Sequence, residues 1–345
     1  MKGLTAKELV EHPGFKHLKW NLPKDQEGHA EVAQGRAGGP FKLGYDVHGK
    51  GDNRIVWIMG LGAYRTAWKR QSRYFGHTHP EYASLVFDNR GVGVSDKPTC
   101  RYSTSEMAKD IVDLLIHIGW LNADRSLPDP KEKLNVVGVS MGGMIAQELG
   151  LILPTGTLNT LFLISTWPRA VRTVPFMENL RQRINMFIPR DIDVQLDGIS
   201  DRLFSDEFLQ LPDTEGDEPY GPGGPNYPTN RDRYCAGEME KRLDKEGFTK
   251  KAFILQAIAA GWHYKSTQQV QEMRDHVGKG RIAVAHGKLD RMITYNHGEL
   301  LRDEIGETVE WKSYENRGHV LMWEEEKDFN SWVAGFIEQC KSMES

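Results

Sequence analysis

The sequence predicts an α/β protein in which a mostly parallel central sheet carries helices on both of its faces. Short runs of β-branched and apolar residues alternate with longer segments in which apolar residues recur at helical spacing. Strands that are apolar along their whole length are typical of parallel sheets that are covered on both faces. The predicted strands are residues 54–59, 83–87, 134–139, 160–165, 281–285 and 309–314.

Two helices of this pattern are clearly marked. After Tyr102, the residues Ser103 and Glu106 predict a capping box, and apolar residues then recur at helical spacing until Gly119 ends the run. The last helix, over residues 329–340, carries its apolar residues on one face. Alternation of strands and helices of this kind favours a doubly wound α/β domain.

One long interval interrupts the alternation, and we interpret it as a mainly helical cap inserted before the predicted strand 281–285. It holds helical patterns separated by a loop rich in Pro, Gly and Asp, residues 211–230. A connection of this length needs structure of its own in a compact domain. The predicted units are an N-terminal extension (1–40) without assigned chemistry, a core (41–166 and 279–345) and the cap (167–278).

The composition is that of a globular protein of 345 residues, longer than a typical single domain. Its 44 Lys and Arg against 48 Asp and Glu give a net charge of −4, so we expect no nucleic-acid partner. Cys100, Cys235 and Cys340 lack the spacing of a metal site or of a disulfide framework. The sequence shows neither a secretory signal nor an apolar run of about 20 residues that could span a membrane, so we expect a cytoplasmic protein. The sequence does not predict the oligomeric state.

A candidate nucleophile lies in residues 138–142, which read GVSMG and match the motif G-x-S-x-G. A predicted strand ends at Ser140 and a helical pattern begins there, which is the context that the motif requires. Gly138 and Gly142 would relieve crowding in the sharp turn, and the Met141 N–H would lie at a helix N-terminus, where it can stabilise an oxyanion. The alternative is a serine that only caps a helix in an ordinary turn.

A second oxyanion donor is expected in the loop after the first predicted strand, which reads Gly60-Leu61-Gly62. Here the chain resembles the α/β-hydrolase superfamily, and the resemblance implies the backbone N–H of Leu61 as that donor. Many members have a histidine where this chain has Met59. Because the donor is a backbone group, this departure should have little consequence.

The resemblance continues in residues 88–96, DNRGVGVSD, which match a D-x-R-G-x-G-x-S-D loop found in many members. We expect its glycines to make a tight loop near the floor of the active site and Arg90 to pair with acids. This loop therefore marks the family and is not expected to supply a catalytic group. In all, the resemblance covers roughly residues 41 to 342.

The same resemblance implies an acid and a base for the serine. Asp290 follows a predicted strand in the family's strand-Gly-x-x-Asp pattern, at the carboxyl end where catalytic groups gather. Asp303 and Glu304 lie in a helical segment and are expected to face solvent. His319 follows the last predicted strand in a Gly-His pair, and the order Ser, Asp, His is that of α/β-hydrolases.

The substrate pocket is expected beneath the cap, whose aromatic and methionine side chains should favour apolar substrates. His286, shortly before the predicted acid, is expected to have a structural role. The candidate lining residues are Trp68, Met144, Trp167 and Trp262, and the other cap side chains of this kind are Phe176, Met177, Met186, Phe187 and Tyr264.

The chain looks most like cap-bearing serine esterases, lipases and methylesterases, among them hypothetical hydrolases of fungi. This resemblance implies cleavage of a small apolar ester, thioester or lactone through an acyl-enzyme on Ser140, without a cofactor or a metal. Relatives with an aspartate nucleophile, such as epoxide hydrolases, are disfavoured by that serine. Carbon–carbon bond hydrolases and perhydrolases use the same triad and stay open, as does a ligand-binding receptor of this fold without enzymatic activity.

Overall fold

A single sheet of eight strands forms the centre of the protein. The structure is a computed structural model, and it describes residues 3–171 and 190–343. The strands are β1 (Gln26–Val32), β2 (Phe41–His48), β3 (Asn53–Ile58), β4 (Tyr82–Phe87), β5 (Leu134–Val139), β6 (Leu158–Ile164), β7 (Ile282–Gly287) and β8 (Glu310–Tyr314).

The sheet is mostly parallel, as the sequence predicts. Its strands lie in the order β1-β2-β4-β3-β5-β6-β7-β8, in which β1 and β4 pair antiparallel with β2 and every other pair is parallel. The six predicted strands correspond to β3 through β8. Because parallel strands end at the same edge of a sheet, the loops that follow β3, β5, β7 and β8 meet there. The candidate catalytic residues lie in these loops.

Two strands at one side of the sheet were absent from the prediction. β1 lies inside the N-terminal segment 1–40, and among its residues only Ala30 and Val32 are buried. An edge strand of this kind pairs on one side and is largely exposed, so it lacks the continuous apolar run that marked the inner strands. The sheet therefore begins within the segment to which the sequence assigned no role.

Helices surround the sheet, and no helix of the described residues is both long and apolar enough to cross a membrane. Short 3₁₀ or π turns occupy Pro13–Lys16, Arg65–Trp68, Tyr74–Thr78 and Glu215–Asp217. The described α-helices are α1 (Ala6–Glu11), α2 (Lys69–Arg73), α3 (Thr104–His117), α4 (Met141–Ile152), α5 (Ile192–Leu203), α6 (Asp206–Gln210), α7 (Asn230–Leu243), α8 (Lys250–Gly261), α9 (Thr267–Val277), α10 (Tyr295–Ile305), α11 (Leu321–Glu324) and α12 (Glu326–Ser342).

The core forms on both faces of the sheet because successive strand residues point to opposite sides. On one face, Ile58 of β3 packs with Leu114 of α3 and Leu149 of α4 in the larger core cluster. On the other face, the neighbouring Trp57 lies in a second cluster with Phe336 of α12. The predicted covering of both faces by helices is confirmed.

The predicted capping box at the start of α3 is only half formed. The hydroxyl of Ser103 accepts a hydrogen bond from the Glu106 N–H at 3.2 Å, as expected for an N-cap. The Glu106 carboxylate does not return the bond, because it pairs instead with Arg36 at 3.0 Å and with Lys109 at 2.6 Å. Tertiary ion pairing has replaced the local bond that the sequence pattern suggested.

The described part of the long interval between β6 and β7 is mainly helical and contains α5 to α9. Helix α9 packs against α4 and β6 and so belongs to the core layer. Further out, α5 and α7 pack with α1, where Leu9, Leu196 and Cys235 are fully buried together. The boundaries 167–278 of a separate cap stay a prediction. Four residues expected in the cap interior lie outside the described residues: Phe176, Met177, Met186 and Phe187.

Candidate active site

Ser140 lies in the turn between β5 and α4, with φ 58° and ψ −123°. This is a left-handed backbone region that residues other than glycine seldom adopt. A Cβ on Gly138 would lie 2.3 Å from the carbonyl oxygen of Gly142, and a Cβ on Gly142 would lie 2.1 Å from that of Ile58. Any larger residue would therefore collide with the backbone at either position. The Ser140 N–H donates to the Ile164 carbonyl at 2.9 Å, which fixes the turn against β6.

The loop after β3 comes close to this turn. A Cβ on Gly60 would lie 3.1 Å from the Ser140 Cβ and 3.6 Å from its hydroxyl oxygen. Leu61, the predicted second oxyanion donor, is the next residue of that loop. Met141 occupies the first position of α4, where a backbone N–H has no acceptor within the helix. The structure thus brings the two segments that hold the predicted donor amides against Ser140.

Gln256 of α8 fastens the loop after β3 to the neighbouring loop after β4. Its side-chain oxygen accepts a hydrogen bond from the Gly62 N–H at 2.8 Å, and its nitrogen donates to the Arg90 carbonyl at 2.8 Å. The side chain is fully buried. Gly62 has a φ of 67°, and a Cβ there would lie 2.8 Å from the ring of Phe253. Sequence reasoning missed Gln256 because a glutamine inside a helix belongs to no motif.

Asp290 and His319 form a buried pair in the loops after β7 and β8. The Nδ1 atom of His319 lies 2.7 Å from the Oδ2 atom of Asp290. The other carboxylate oxygen accepts hydrogen bonds from the N–H groups of Met292 and Ile293, both at 2.8 Å. The His319 N–H donates to the Leu203 carbonyl at 2.7 Å. The carboxylate and the ring are therefore both held in place by backbone groups.

His286 of β7 is a second ring beside the Asp290 carboxylate. Its Nε2 atom lies 2.7 Å from the Ile293 carbonyl and 3.2 Å from the Asp290 Oδ2 atom. A carbonyl oxygen only accepts, so this nitrogen bears a proton. Burial alone would raise the pKa of Asp290, but the adjacent His319 and the hydrogen bonds from both histidines outweigh burial and hold it well below its ordinary value. Asp290 therefore stays ionised.

The predicted groups meet at one edge of the sheet without forming one continuous chain of hydrogen bonds. In the part of the chain that the structure describes, no hydrogen bond joins the Ser140 hydroxyl to His319. Catalytic hydrogen bonds are often long in unliganded enzymes and tighten when substrate binds. Glu304, one of the competing acids, is engaged elsewhere and pairs with Arg169 at 3.0 Å.

The loop over residues 88–96 has the structural contacts expected of it. Arg90 is buried and binds both carboxylate oxygens of Asp110, each at 2.6 Å. Asp88 is also buried and accepts hydrogen bonds from the backbone and side chain of Arg65, at 2.6 and 2.5 Å. Paired charges of this kind order a loop that lies directly behind the candidate site.

The four predicted lining residues differ in where they lie and in how far they are buried. Trp68 is fully buried with its ring 4.8 Å from that of Trp57, so it is a core residue and not part of a pocket wall. Trp262 lies on the outside of the protein, because the helix before it turns its small residues inward. Met144 is buried in α4, and Trp167 is partly buried near His297. For these last two residues, contact with substrate stays a prediction.

The described residues contain no cluster of three or more His, Cys, Asp or Glu side chains that could hold a metal ion.

A mostly parallel eight-stranded sheet, with a strained serine after one strand and a buried Asp–His pair after two others, defines an α/β-hydrolase type of protein. The family model for the alpha/beta hydrolase fold matches residues 53–326. The chain belongs to this family.

Known proteins similar to this chain include hydrolases and a protein named as a bromoperoxidase. The "Putative non-heme bromoperoxidase BpoC" of Mycobacterium tuberculosis is 31% identical over 121 residues, which are 33% of this chain and 38% of the relative. A thermophilic esterase from Thermogutta terrifontis has a TM-score of 0.64 at 18% identity, covering 92% of this chain and 99% of that chain. Est816, described as an N-acyl homoserine lactone degrading enzyme, has a TM-score of 0.66 at 21% identity, covering 90% and 100%. At such identities the structural likeness shows the fold alone.

Proposed function

We propose that the chain is a serine hydrolase that cleaves a carboxylic ester, thioester or lactone of a small apolar substrate. The nucleophile is Ser140, the base is His319, and Asp290 orients that base. The N–H groups of Leu61 and Met141 form the oxyanion hole. The reaction needs no metal or cofactor for any of these steps.

The observation that supports this function most strongly is the buried hydrogen bond between Asp290 and the Nδ1 atom of His319, 2.7 Å long. An ionised carboxylate on Nδ1 favours the tautomer with the proton there, which leaves Nε2 free to accept a proton from an attacking hydroxyl. The pair lies at the same sheet edge as Ser140, whose strained turn is typical of an exposed nucleophile.

The proposed reaction has two halves. Ser140 attacks the substrate carbonyl while His319 takes its proton, and the two backbone amides stabilise the tetrahedral oxyanion. The imidazolium, stabilised by Asp290, then donates that proton to the departing alcohol, thiol or ring oxygen. In the second half, His319 removes a proton from water, and the resulting hydroxide attacks the acyl carbonyl. The bond to the Ser140 oxygen then breaks, His319 returns the proton to that oxygen, and the acyl group leaves as a carboxylic acid.

An apolar substrate is supported by the side chains that lie over the oxyanion loop. The rings of Phe253 and Phe248 would lie 2.8 Å and 3.5 Å from a Cβ on Gly62, so both border that loop from the insertion side. Their centroids are 5.7 Å apart. Two adjacent phenyl rings favour contact with an alkyl or aryl group over contact with a charged one.

The test is labelling with a fluorophosphonate, which reacts with activated serines. The wild type should be labelled and should hydrolyse p-nitrophenyl esters, whereas Ser140→Ala should lose both signals. Ser165→Ala is a matched control, because Ser165 also has a positive φ (46°) at the end of the neighbouring strand. Equal labelling of wild type and Ser140→Ala would exclude the assignment. A series of esters of increasing acyl length, with thioesters and lactones, then defines the substrate class.

A second candidate activity, perhydrolysis, is favoured by the name of the curated relative. In this reaction hydrogen peroxide replaces water in releasing the acyl group, which leaves as a peracid. The peracid passes one oxygen atom to bromide, and the products are a carboxylate and hypobromous acid. Bromination of monochlorodimedone with peroxide, bromide and an ester should then depend on Ser140. If no bromination is observed, the perhydrolase activity is excluded and the hydrolase activity is the one that stands.

A further inference from the structure

The outer face of α8 is unusually apolar for a helix at a protein surface. Ile254 and Ile258 are 36% and 40% exposed, and Trp262 and Tyr264, which follow the helix, are 70% and 62% exposed. Lys251, Ile254, Ile258 and Trp262 are spaced three, four and four residues apart, so they form one stripe along the helix. We call these four residues the α8 stripe. Most surface helices show the opposite arrangement, with the apolar stripe facing the core.

The inner face of α8 explains why the stripe cannot turn away from solvent. Ala252, Gln256 and Ala259 face inward and are buried. Gln256 is held by two hydrogen bonds of 2.8 Å to the loops after β3 and β4. With small residues packed closely and a glutamine fixed at both ends of its amide, the helix has one orientation. The stripe is therefore presented permanently on the outside.

Exposed basic residues lie at both ends of the stripe. Between Glu246 and Glu272 the sequence contains no acidic residue, although it contains three lysines. Lys250 and Lys251 are exposed at the start of α8. At the other end of the stripe, the guanidinium of the exposed Arg101 lies 4.9 Å from the centre of the Trp262 ring.

A cleft of about 210 Å³ lies beside the stripe, between Trp262, Tyr264 and the start of α3. One acid lines it, Glu148, and that carboxylate is paired with Lys265 at 2.6 Å. The acid is therefore neutralised by its partner. The cleft therefore adds no net negative charge beside the stripe.

From these observations we infer that the α8 stripe, with Lys250, Arg101 and Tyr264, docks on the surface of an anionic lipid bilayer. Aromatic rings with polar edges and aliphatic side chains bordered by lysine and arginine are the composition of segments that lie in a membrane interface. Anionic headgroups attract the basic residues, while Ile254, Ile258 and Trp262 enter the boundary of the acyl chains. The face lies on the membrane and does not span it.

A second copy of this chain fits the face less well. In a symmetric dimer the same patch meets itself, which would bring the basic residues of one copy (Lys250, Lys251 and Arg101) toward the basic residues of the other. Like charges facing one another oppose association. A lipid surface meets the same residues with opposite charge.

Docking in this way would place the candidate site near the source of apolar substrates. Helix α8 contacts the oxyanion loop through Gln256, and a helix with its side chains is roughly 10 Å across. The loops that surround Ser140 would then lie about one helix diameter from the bilayer. Docking itself does not depend on the proposed hydrolase activity, which is tested separately.

The experiment is sedimentation of the full chain with vesicles of phosphatidylcholine, with and without phosphatidylglycerol. The Ser140→Ala variant serves as the host, so that hydrolysis cannot alter the vesicles. We expect binding to the anionic vesicles that weakens as salt is added. Lys250→Glu/Lys251→Glu should weaken it by about tenfold or more. Ile254→Gln/Ile258→Gln should weaken it by a similar factor.

The matched control is Lys131→Glu/Lys279→Glu, which makes the same change in net charge at the opposite edge of the sheet. Both lysines are exposed and precede β5 and β7. This control should bind within about twofold of the host, since its charges lie at the other edge of the sheet from the loops that α8 contacts. The inference would be overturned if the host did not bind anionic vesicles or if the control lost binding equally. It would also be overturned if light scattering showed self-association that Ile254→Gln/Ile258→Gln abolishes.

Discussion

Ser140 and Ser165 both adopt positive φ values, at the ends of the neighbouring strands β5 and β6. Such a conformation costs on the order of 1–3 kcal/mol for a residue other than glycine and persists only where its surroundings fix it. At Ser140 the surroundings are the flanking Gly138 and Gly142 and the hydrogen bond to Ile164. Two such residues of the described chain therefore lie side by side at the strand ends where the candidate site lies.

Asp290→Asn tests whether this carboxylate orients the base. Asparagine keeps the shape of the side chain, but its amide can present N–H to His319 and so favour the wrong tautomer. We expect kcat for a p-nitrophenyl ester to fall by about 1,000-fold or more. Asp303→Asn is the control, since Asp303 is exposed and pairs with Arg302 at the surface. If Asp303→Asn lowered kcat more than Asp290→Asn does, Asp290 would not be the acid.

Single residues could be predicted from the sequence where a local motif defines them. Ser140 stands in a five-residue pattern, and Asp290 and His319 each follow a strand at a family position. Gln256 and His286 could not be found in this way, because they act through contacts with loops that are distant in the sequence. The same limit explains why Trp68 was predicted as a lining residue although it packs in the core.

Among the secondary-structure elements, helix α8 makes different contributions through its inner and outer faces. Its inner face holds the loop after β3 through Gln256, and its outer face carries the stripe. The position of the helix was predictable from its apolar composition. Which face would be buried could not be predicted, because a helix that is apolar all around gives no amphipathic pattern from which an inner face could be assigned.

Gln256→Ala should impair the site more than the fold. The change removes the hydrogen bonds to Gly62 and Arg90, and it frees the loop that holds the predicted donor Leu61. We expect kcat/KM for a soluble ester to fall by about 10- to 100-fold, in the range of losing one oxyanion donor or somewhat less. Gln268→Ala, on the exposed face of α9, is the control and should leave the rate unchanged. Equal rates for the two variants would mean that the loop does not need this bond.

The connection between α8 and α9 contains a histidine that sequence reasoning did not single out. His263 is buried, and its Nδ1 atom lies 3.0 Å from the Thr104 hydroxyl and 3.7 Å from Glu148. Burial, together with the nearby Lys265, lowers the pKa of His263 from 6.5 to about 3. The ring is therefore neutral in the folded protein at pH values where the unfolded chain already binds a proton.

This shift predicts a loss of stability in acid. The contribution of neutral His263 is complete above about pH 6.5 and declines as pH falls from there toward 3, by on the order of 1 kcal/mol per pH unit. In His263→Asn, whose amide can keep the bond to Thr104, urea unfolding should show a shallower decline over the same window. The remaining buried histidines are common to both proteins, so the comparison isolates this one. Parallel pH profiles would contradict the assigned shift.

At the scale of the whole molecule, a buried ionic cluster connects segments that are far apart in the sequence. Glu215 belongs to the loop rich in Pro, Gly and Asp, yet it is only 2% exposed. Its carboxylate binds Lys69 at 2.6 Å and Arg70 at 2.9 Å, and it lies 3.4 Å from Arg233 of α7. The indole N–H of Trp20 donates to it at 3.2 Å. The N-terminal segment, the core helix α2 and the insertion therefore meet at one carboxylate.

The sequence could not predict this connection. Composition alone marked the loop around Glu215 as polar and irregular, and an acid in such a loop is expected to face solvent. Its burial depends on three cations contributed by elements that only the folded chain brings together. The alternation of strands and helices was predictable because it is encoded locally, whereas the attachment of the insertion to the core is not.

Glu215→Gln should therefore destabilise the whole protein. Removing the charge leaves Lys69, Arg70 and Arg233 buried without their shared partner, which should lower the free energy of unfolding by about 3–5 kcal/mol. Glu272→Gln, at an exposed position of α9, is the control and should change it by less than about 0.5 kcal/mol. Urea unfolding near neutral pH measures both variants.

The same pair of variants also predicts a pH dependence. Burial alone would raise the pKa of Glu215, but Lys69, Arg70 and Arg233 outweigh burial and hold it well below the ordinary value of 4.5. Its stabilising contribution is thus complete above about pH 4.5 and is lost as pH falls below that value. The difference in unfolding free energy between wild type and Glu215→Gln should shrink in acid, because protonation removes the charge that glutamine lacks. A difference that stays constant down to pH values well below 4.5 would show that lost packing, and not lost charge, causes the destabilisation.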